Sequence, residues 1–364
     1  MRAALLLVVA AALWAVYARG GTPAELLTST PGGLPRERTP QFILLTHDDG
    51  VSRSSRDMLR AITDGRQSPN GCPLTATLFA KIGNTDCKAL RELYQLGYEV
   101  ACHTVQHKRL YGANRTFVES EIVGGRAQLA ECGVPAEDIV GFRAPYLHID
   151  APVRQVLAAH GFLYDSSLVE DTLGSSASQG FADRLWPFDM AAGIPINCTT
   201  EDGPYGSRRQ ACEADESYPG LWEVPLWGMG ELDGPFHMDP GFSYACMCHA
   251  SEHSTLEILK AHFDAAYEGN RAPLPLYVHP FFLWEGHNVR QLQQFADYAL
   301  SKPDVYFITM RQLIAWMKAP IPADELSPEA LGCGSPGGAG PPVPAPAPAP
   351  DPARRRQLLA VQQK

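Results

Sequence analysis

Asp48 and Asp49 stand side by side at the end of an apolar run, Phe42-Ile43-Leu44-Leu45, just before Gly50. Adjacent carboxylates repel, and sharing a site raises the pKa of one of them. A cation or a proton is therefore needed to hold the two together. Further along, the stretch His103-Thr104-Val105-Gln106-His107 sets both imidazoles on one face if it begins a helical turn. Two histidines and one carboxylate, here Asp49, make a three-ligand site that leaves positions open for water and substrate, as catalytic zinc sites do. One aspartate then neutralises a divalent ion. The other, unligated, can take a proton from a water whose pKa a bound zinc lowers to about 7. Arg143, in Gly141-Phe142-Arg143-Ala144-Pro145-Tyr146, can hold the free carboxylate by bidentate hydrogen bonds and keep it ionised. Pro145 fixes the turn, so the Tyr146 backbone amide can point inward as an oxyanion donor. His279 closes the run Leu276-Tyr277-Val278; an imidazole titrates near neutral pH and suits a general acid that protonates a departing amine.

These residues need elements to carry them. Apolar runs that read as strands alternate with amphipathic stretches that read as helices. The strands are FILLTHDD, LTATLFAK, YEVACHT, IVGFRAPY, FLYDSS, LWEVPLW, PLYVHP and VYFIT. A capping-box pattern, Thr116 with Glu119, marks one helix start, and Asp150 marks another. Alternation of this kind implies parallel pairing. Seven or eight units suggest a barrel, in which functional residues sit at the C-terminal ends of strands. Asp48, Asp49, His103, Arg143 and His279 all fall at such ends.

The formal net charge of -10 argues against nucleic acid or an anionic membrane surface as partner. Arg2 followed by the apolar run Ala3 to Val16 predicts a signal peptide over 1–18, with no stable membrane insertion. Nine cysteines fit an oxidising compartment and leave at least one unpaired within the chain. Cys246 and Cys248 lack a second close pair, which disfavours a structural zinc site. Cys72–Cys87 and Cys198–Cys212 are the expected bridges, and Cys102 is expected to pack as a small buried residue. Asn114 and Asn197 head glycosylation sequons. A lead-in segment over 19–39, a barrel over 40–325 and a disordered Pro/Ala-rich tail over 326–364 complete the expected organisation.

The motifs resemble those of the polysaccharide deacetylases, carbohydrate esterase family 4, and most closely the chitin deacetylase-like branch. Thr46-His47-Asp48-Asp49-Gly50 is similar to the family's first motif, usually Thr-Phe-Asp-Asp-Gly. His103 to His107 is similar to the second, Arg143-Ala144-Pro145-Tyr146 to the third, and Leu276 to His279 to the last. They come in family order, and the resemblance covers roughly 40–320, including GLWEVPLW, NRAPLPLYVH and VYFITMRQLIAWM.

The resemblance implies an α/β fold, a distorted (β/α) barrel of about seven repeats. It implies Asp48 as base, Asp49, His103 and His107 as ligands of one divalent metal, zinc by its donor set, and His279 as acid. It implies a secreted hydrolase, extracellular or in a cell wall, that removes N-acetyl groups from N-acetylglucosamine polysaccharides or oligosaccharides, chitin first among them. Pro145, Tyr146 and Trp222 are the expected substrate contacts. Two alternatives stay open: a catalytically silent polysaccharide-binding wall or matrix protein, and a deacetylase of peptidoglycan or another acetylated glycan. Two departures stand out. His47 replaces the usual Phe and is read as a packing variant facing away from Asp48. The motif that tunes the acid histidine is not evident, with Asp165, Trp222 and Glu223 as candidates.

Overall fold

The apolar run from Gln41 forms a strand, β1 (Gln41–Asp49), buried along nearly its whole length. A computed structural model describes residues 27–170, 183–195, 209–227, 238–244 and 246–338. Its further strands are β2 (Thr77–Ala80), β3 (Glu99–Cys102), β4 (Gly141–Phe142), β5 (Tyr164–Asp165), β6 (Val169–Glu170), β7 (Phe188–Asp189), β8 (Trp222–Glu223), β9 (Leu226–Trp227), β10 (Phe242–Ser243), β11 (Cys248–His249), β12 (Leu274–Val278) and β13 (Val305–Phe307). Its α-helices are α1 (Arg53–Thr63), α2 (Cys87–Gln95), α3 (Arg115–Glu131), α4 (Ala151–Ala159), α5 (Thr255–Glu268), α6 (Pro280–Trp284), α7 (Gly286–Leu300), α8 (Met310–Lys318) and α9 (Pro328–Leu331).

The main sheet runs β12-β1-β2-β3-β4-β5-β8-β7, with β13 also pairing with β1. Every pairing in it is parallel except β7 with β8. Strands buried on both faces read as continuous apolar runs because helices cover the outside. α1 shows the other half of that pattern: Ser55, Leu59, Ile62 and Thr63 face inward while Arg53, Arg56 and Arg60 stay on the polar side. The result is a curled sheet, a distorted (β/α) barrel. Among the described residues its ladder stays open beyond β12. There Pro225, with no N–H to donate, splits LWEVPLW into β8 and β9, and β9 pairs with β6 instead. Side chains bridge this gap: the Trp227 N–H donates to Tyr277 Oη at 2.7 Å, and Leu147, Val169, Leu226 and Tyr277 pack together.

Helix starts follow local chemistry. Asp150 caps α4 as expected, accepting from the Val153 N–H. At α3 the cap is Asn114, which accepts from the Phe117 N–H, and not Thr116. Asn114 stays exposed, while Asn197 lies outside the described residues.

Two further expectations need correction. Cys72 and Cys87 are both bridged, but not to each other. Cys87, the first residue of α2, meets Cys132 past the end of α3 at a Cα–Cα distance of 4.8 Å. Cys72 meets Cys333 at 5.6 Å. Both separations suit a disulfide, and the choice of partner is made by tertiary proximity. Cys246 bridges Cys248, Cys212 is disulfide-bonded, and Cys198 lies outside the described residues. The second correction concerns the tail, which contributes to the core at its start. Leu326 and Leu331 are buried, and Cys333 ties this segment back to the stretch before β2. Loss of such a native bridge costs roughly 2–5 kcal/mol. Cys102 is free and buried; burial pushes its thiol up to about 12, so it is inert. The predicted signal segment and the Pro/Ala run lie outside the described residues.

Candidate active site

At the C-terminal end of β1 the backbone turns left-handed at Asp49, with φ +78°. Non-glycine residues seldom do this, and such outliers gather at functional sites. Thr104, His107, Tyr146 and Leu147 share the feature, so the strain concentrates around one spot. Gly50 is needed here for space: a Cβ at that position would fall 2.7 Å from the Asn84 carbonyl oxygen.

Asp49, His103 and His107 each place one ligand-capable atom within 4.8 Å of the others. The donor set fits a divalent cation in two further respects. Asp49 Oδ1 is buried and makes no well-aligned hydrogen bond, although Lys81 Nζ lies 3.2 Å away. His103 Nδ1 sits 2.7 Å from the Arg143 carbonyl oxygen, which makes Nδ1 the protonated nitrogen and leaves Nε2 free to ligate. His103 and His107 are not on a helical turn. The segment is a loop in which Thr104, at φ +70°, accepts the His107 N–H on its Oγ1 at 3.0 Å. That reversal brings the rings to a centroid distance of 4.9 Å. Burial pushes both imidazoles down, His107 to about 4, so both are neutral and ready as ligands. Burial would raise the Asp49 carboxyl, but His103, His279, His107 and Lys81 hold it well below its ordinary range.

Asp48 is fully enclosed. Its Oδ1 accepts from Arg143 Nη1 at 2.6 Å. The pairing is a single contact, not the expected fork, because Arg143 is shared. Nη1 also reaches Thr46 Oγ1, Nε donates to the Ser166 carbonyl, and Nη2 to Ser166 Oγ. Thr46 and Asp48 thus face inward, and His47 between them lies on the other face of β1. His47 is wholly buried without a partner for either ring nitrogen, and burial pushes it down to about 4.

His279 precedes α6. Its Nδ1 lies 2.6 Å from Asp239 Oδ2, and its backbone N–H donates to Asp239 Oδ1 at 2.7 Å. Tyr244 donates to the same carboxylate, and its ring packs edge-on against His279. Burial alone would lower the imidazole, but the Asp239 carboxylate overrides it and raises His279 to about 9. Pro145 starts the turn, Tyr146 is half-exposed, and its ring packs edge-on against His107. The turn is closed by the Leu147 and His148 amides, which leaves the Tyr146 N–H out of those bonds.

A family model for polysaccharide deacetylase matches residues 36–164, the part that carries Asp48, Asp49, His103, His107 and Arg143. Chitin deacetylase 8 of Bombyx mori is 28% identical over 305 residues, 82% of this chain and 75% of that protein. Chitin deacetylase 1 of the same species is 29% identical over 308 residues, 80% of this chain and 54% of that one. The chain is thus similar to the polysaccharide deacetylases over residues 36–164 and to the two chitin deacetylases over four-fifths of its length. A structure from Mycobacterium smegmatis described as a polysaccharide deacetylase aligns with a TM-score of 0.54, at 20% identity, over 80% of this chain and 94% of that one; it speaks to the fold. The chain spans three-quarters of one Bombyx relative and about half of the other.

Two residues of the candidate site were not legible in the sequence. Asp239, not Asp165, Trp222 or Glu223, is the partner of His279; its only signal is an Asp-Pro turn in a loop without periodicity. Lys81, at the end of β2, places Nζ 3.2 Å from Asp49 Oδ1. Trp222 begins β8, packs partly buried on the main core, and is not brought into contact with the cluster.

Proposed function

We propose that this polysaccharide deacetylase is a secreted, zinc-dependent enzyme that hydrolyses the N-acetyl groups of an N-acetylglucosamine polymer, chitin in the first place. The observation that carries the reading is the juxtaposition at one barrel end of a three-ligand cluster, a carboxylate outside it, and an imidazole held by its own carboxylate. Two imidazoles and one carboxylate favour zinc among the common divalent ions. Bound there, zinc polarises the acetyl oxygen and activates water near pH 7.

The chain's own groups supply the rest. Asp48, fixed by Arg143, takes the proton from the attacking water. The Tyr146 N–H offers a donor to the developing oxyanion. His279, protonated at neutral pH because of Asp239, gives its proton to the nitrogen as the C–N bond breaks, and acetate and a free amine leave. Tyr146, Tyr244, Phe281 and Trp284 are exposed aromatics on the segments that carry the cluster or follow it. They offer apolar faces to pyranose rings, which supports a glycan substrate over a small acetamide. The bridged cysteines support an oxidising compartment, and no helix among the described residues is long and apolar enough to cross a membrane.

Mass spectrometry of products from chitin oligomers, peptidoglycan fragments and O-acetylated xylan tests the substrate. Loss of acetyl groups from chitin oligomers ahead of the other two is expected. Turnover confined to peptidoglycan or to O-acetyl esters would move the specificity elsewhere.

The alkaline limb of kcat tests the acid. The His279 proton is held while pH stays below about 9. In Asp239→Asn the largest raising charge is gone while burial and the smaller raising effects of Asp48 and Asp49 remain, so the limb moves down toward the ordinary imidazole value of about 6.5. At pH 8 the acid form, and kcat with it, falls by up to roughly 30-fold. An unchanged alkaline limb in that variant would remove His279 from the proton-donor role.

A further inference from the structure

On the Nε and Nη2 side of Arg143, the ends of β5 and β8 bring two more carboxyl groups together. Asp165 and Glu223 are register partners on adjacent strands, and both are fully buried. One oxygen of each is accounted for. Asp165 Oδ1 accepts from Ser167 Oγ at 2.5 Å. Glu223 Oε1 accepts from the Ser167 and Leu168 N–H groups at 3.2 and 2.9 Å. The remaining oxygens, Asp165 Oδ2 and Glu223 Oε2, have no donor, and the two side chains lie within hydrogen-bonding reach of each other.

Counting charge shows what is missing. Arg154 of α4 and Arg143, just past β4, are the cations that act on this pair. Arg154 is held by Glu216 through Nε and Nη2, each at 2.6 Å, and Arg143 is held by Asp48. Each guanidinium has its own carboxylate; Arg154 Nη1 makes no hydrogen bond, but the Arg154 charge is already matched by Glu216, so two further negative charges would stand without a cation of their own. Two buried like charges in contact do not both ionise, and one proton satisfies both orphaned oxygens at once.

We propose that Asp165 and Glu223 form a single acid pair, one proton shared by two carboxyl groups, that positions Arg143 for the reaction. The route is short. The pair fixes the Ser166–Ser167 turn. Ser166 holds two nitrogens of Arg143, and Ser167 Oγ accepts the Ala144 N–H at 2.8 Å. Arg143 then holds Asp48, and Ala144 leads into Pro145 and Tyr146. The pair touches no reacting atom, so its members are positioning residues. The proposal rests on the role given above to Asp48.

Burial raises both groups, Asp165 to about 6 and Glu223 well above its ordinary value. Folded values above unfolded ones give stability that is complete at low pH and is lost as pH rises through the folded values. Glu223→Gln replaces the shared proton with a permanent N–H donor, with its Oε1 still facing the Ser167 and Leu168 amides. Asp165→Asn does the same from the other side. Each single variant therefore flattens the fall of Tm with rising pH. The double variant loses more Tm than the two singles together. In it, either two NH₂ groups face each other, or the new amide on β5 turns over and the Ser167 hydroxyl loses its acceptor.

Infrared difference spectra of the purified full chain at neutral pH read the proton directly. A protonated-carboxyl carbonyl band is expected in the wild-type-minus-variant difference for each single variant, since Glu170 and Glu99, also raised by burial, contribute equally to all three proteins and cancel. A difference spectrum without that band overturns the proposal, and so does a Tm–pH slope shared by all three proteins. Neither readout needs a substrate, so the pair can fail while deacetylation stands, and the reverse.

Discussion

Asp48→Asn is expected to keep its metal and lose turnover by about 10²–10⁴-fold, the usual worth of a positioned base. The substitution is nearly isosteric. The new amide carbonyl can still accept from Arg143 Nη1, which lies 2.6 Å from the native Oδ1, so the surrounding packing of Thr46, Arg143 and Ser166 survives. What is lost is basicity alone. The three atoms of Asp49, His103 and His107 that could hold an ion are untouched, and metal analysis of the variant should match the wild type. A protein that keeps near-normal acetate release after this change has its base elsewhere.

His103→Ala fails differently. His103 is 2% exposed and is oriented by the Arg143 carbonyl, so its Nε2 position is determined before any ion arrives. Removing a residue that merely orients a ligand already costs about 10–100-fold in metal affinity, so loss of the ligand itself should cost at least about 100-fold. The variant should purify metal-poor and regain only part of its activity when zinc is added. Wild-type metal content in His103→Ala would take His103 out of the ligand set. The contrast with Asp48→Asn matters because a folding defect would depress both properties in both proteins.

Much of this site was legible from residue order, since continuous apolar runs mark buried parallel strands and the residue closing each run must sit at the barrel's functional end. Asp48, Asp49, His103, Arg143 and His279 can all be placed there from residue order alone. Legibility stops where contacts are made by chain segments that have no period. Asp239 reaches His279 from a loop 40 residues upstream, and nothing in its neighbourhood distinguishes it from an ordinary turn aspartate. The spacing of His103 and His107 is correct for one face of a helix, yet spacing does not report the dihedral at Thr104 that makes it a loop. The partner of Cys87 could not be read from the sequence because it depends on how α2 lies against α3. The start of the tail was misjudged because Pro and Gly dominate its composition, although Leu326, Leu331 and Cys333 anchor it. The Asp165–Glu223 contact was hidden for a related reason: two strands must be placed side by side before either acid has the other as a neighbour.

The most direct single measurement is acetate release from N-acetylglucosamine oligomers by the full chain, before chelation, after chelation and after zinc is restored. Release is expected to stop with the chelator and return with zinc, with one free amine appearing for each acetate. Release that continues undiminished in the metal-free protein, or acetate formed without a matching amine, would contradict zinc-dependent N-deacetylation.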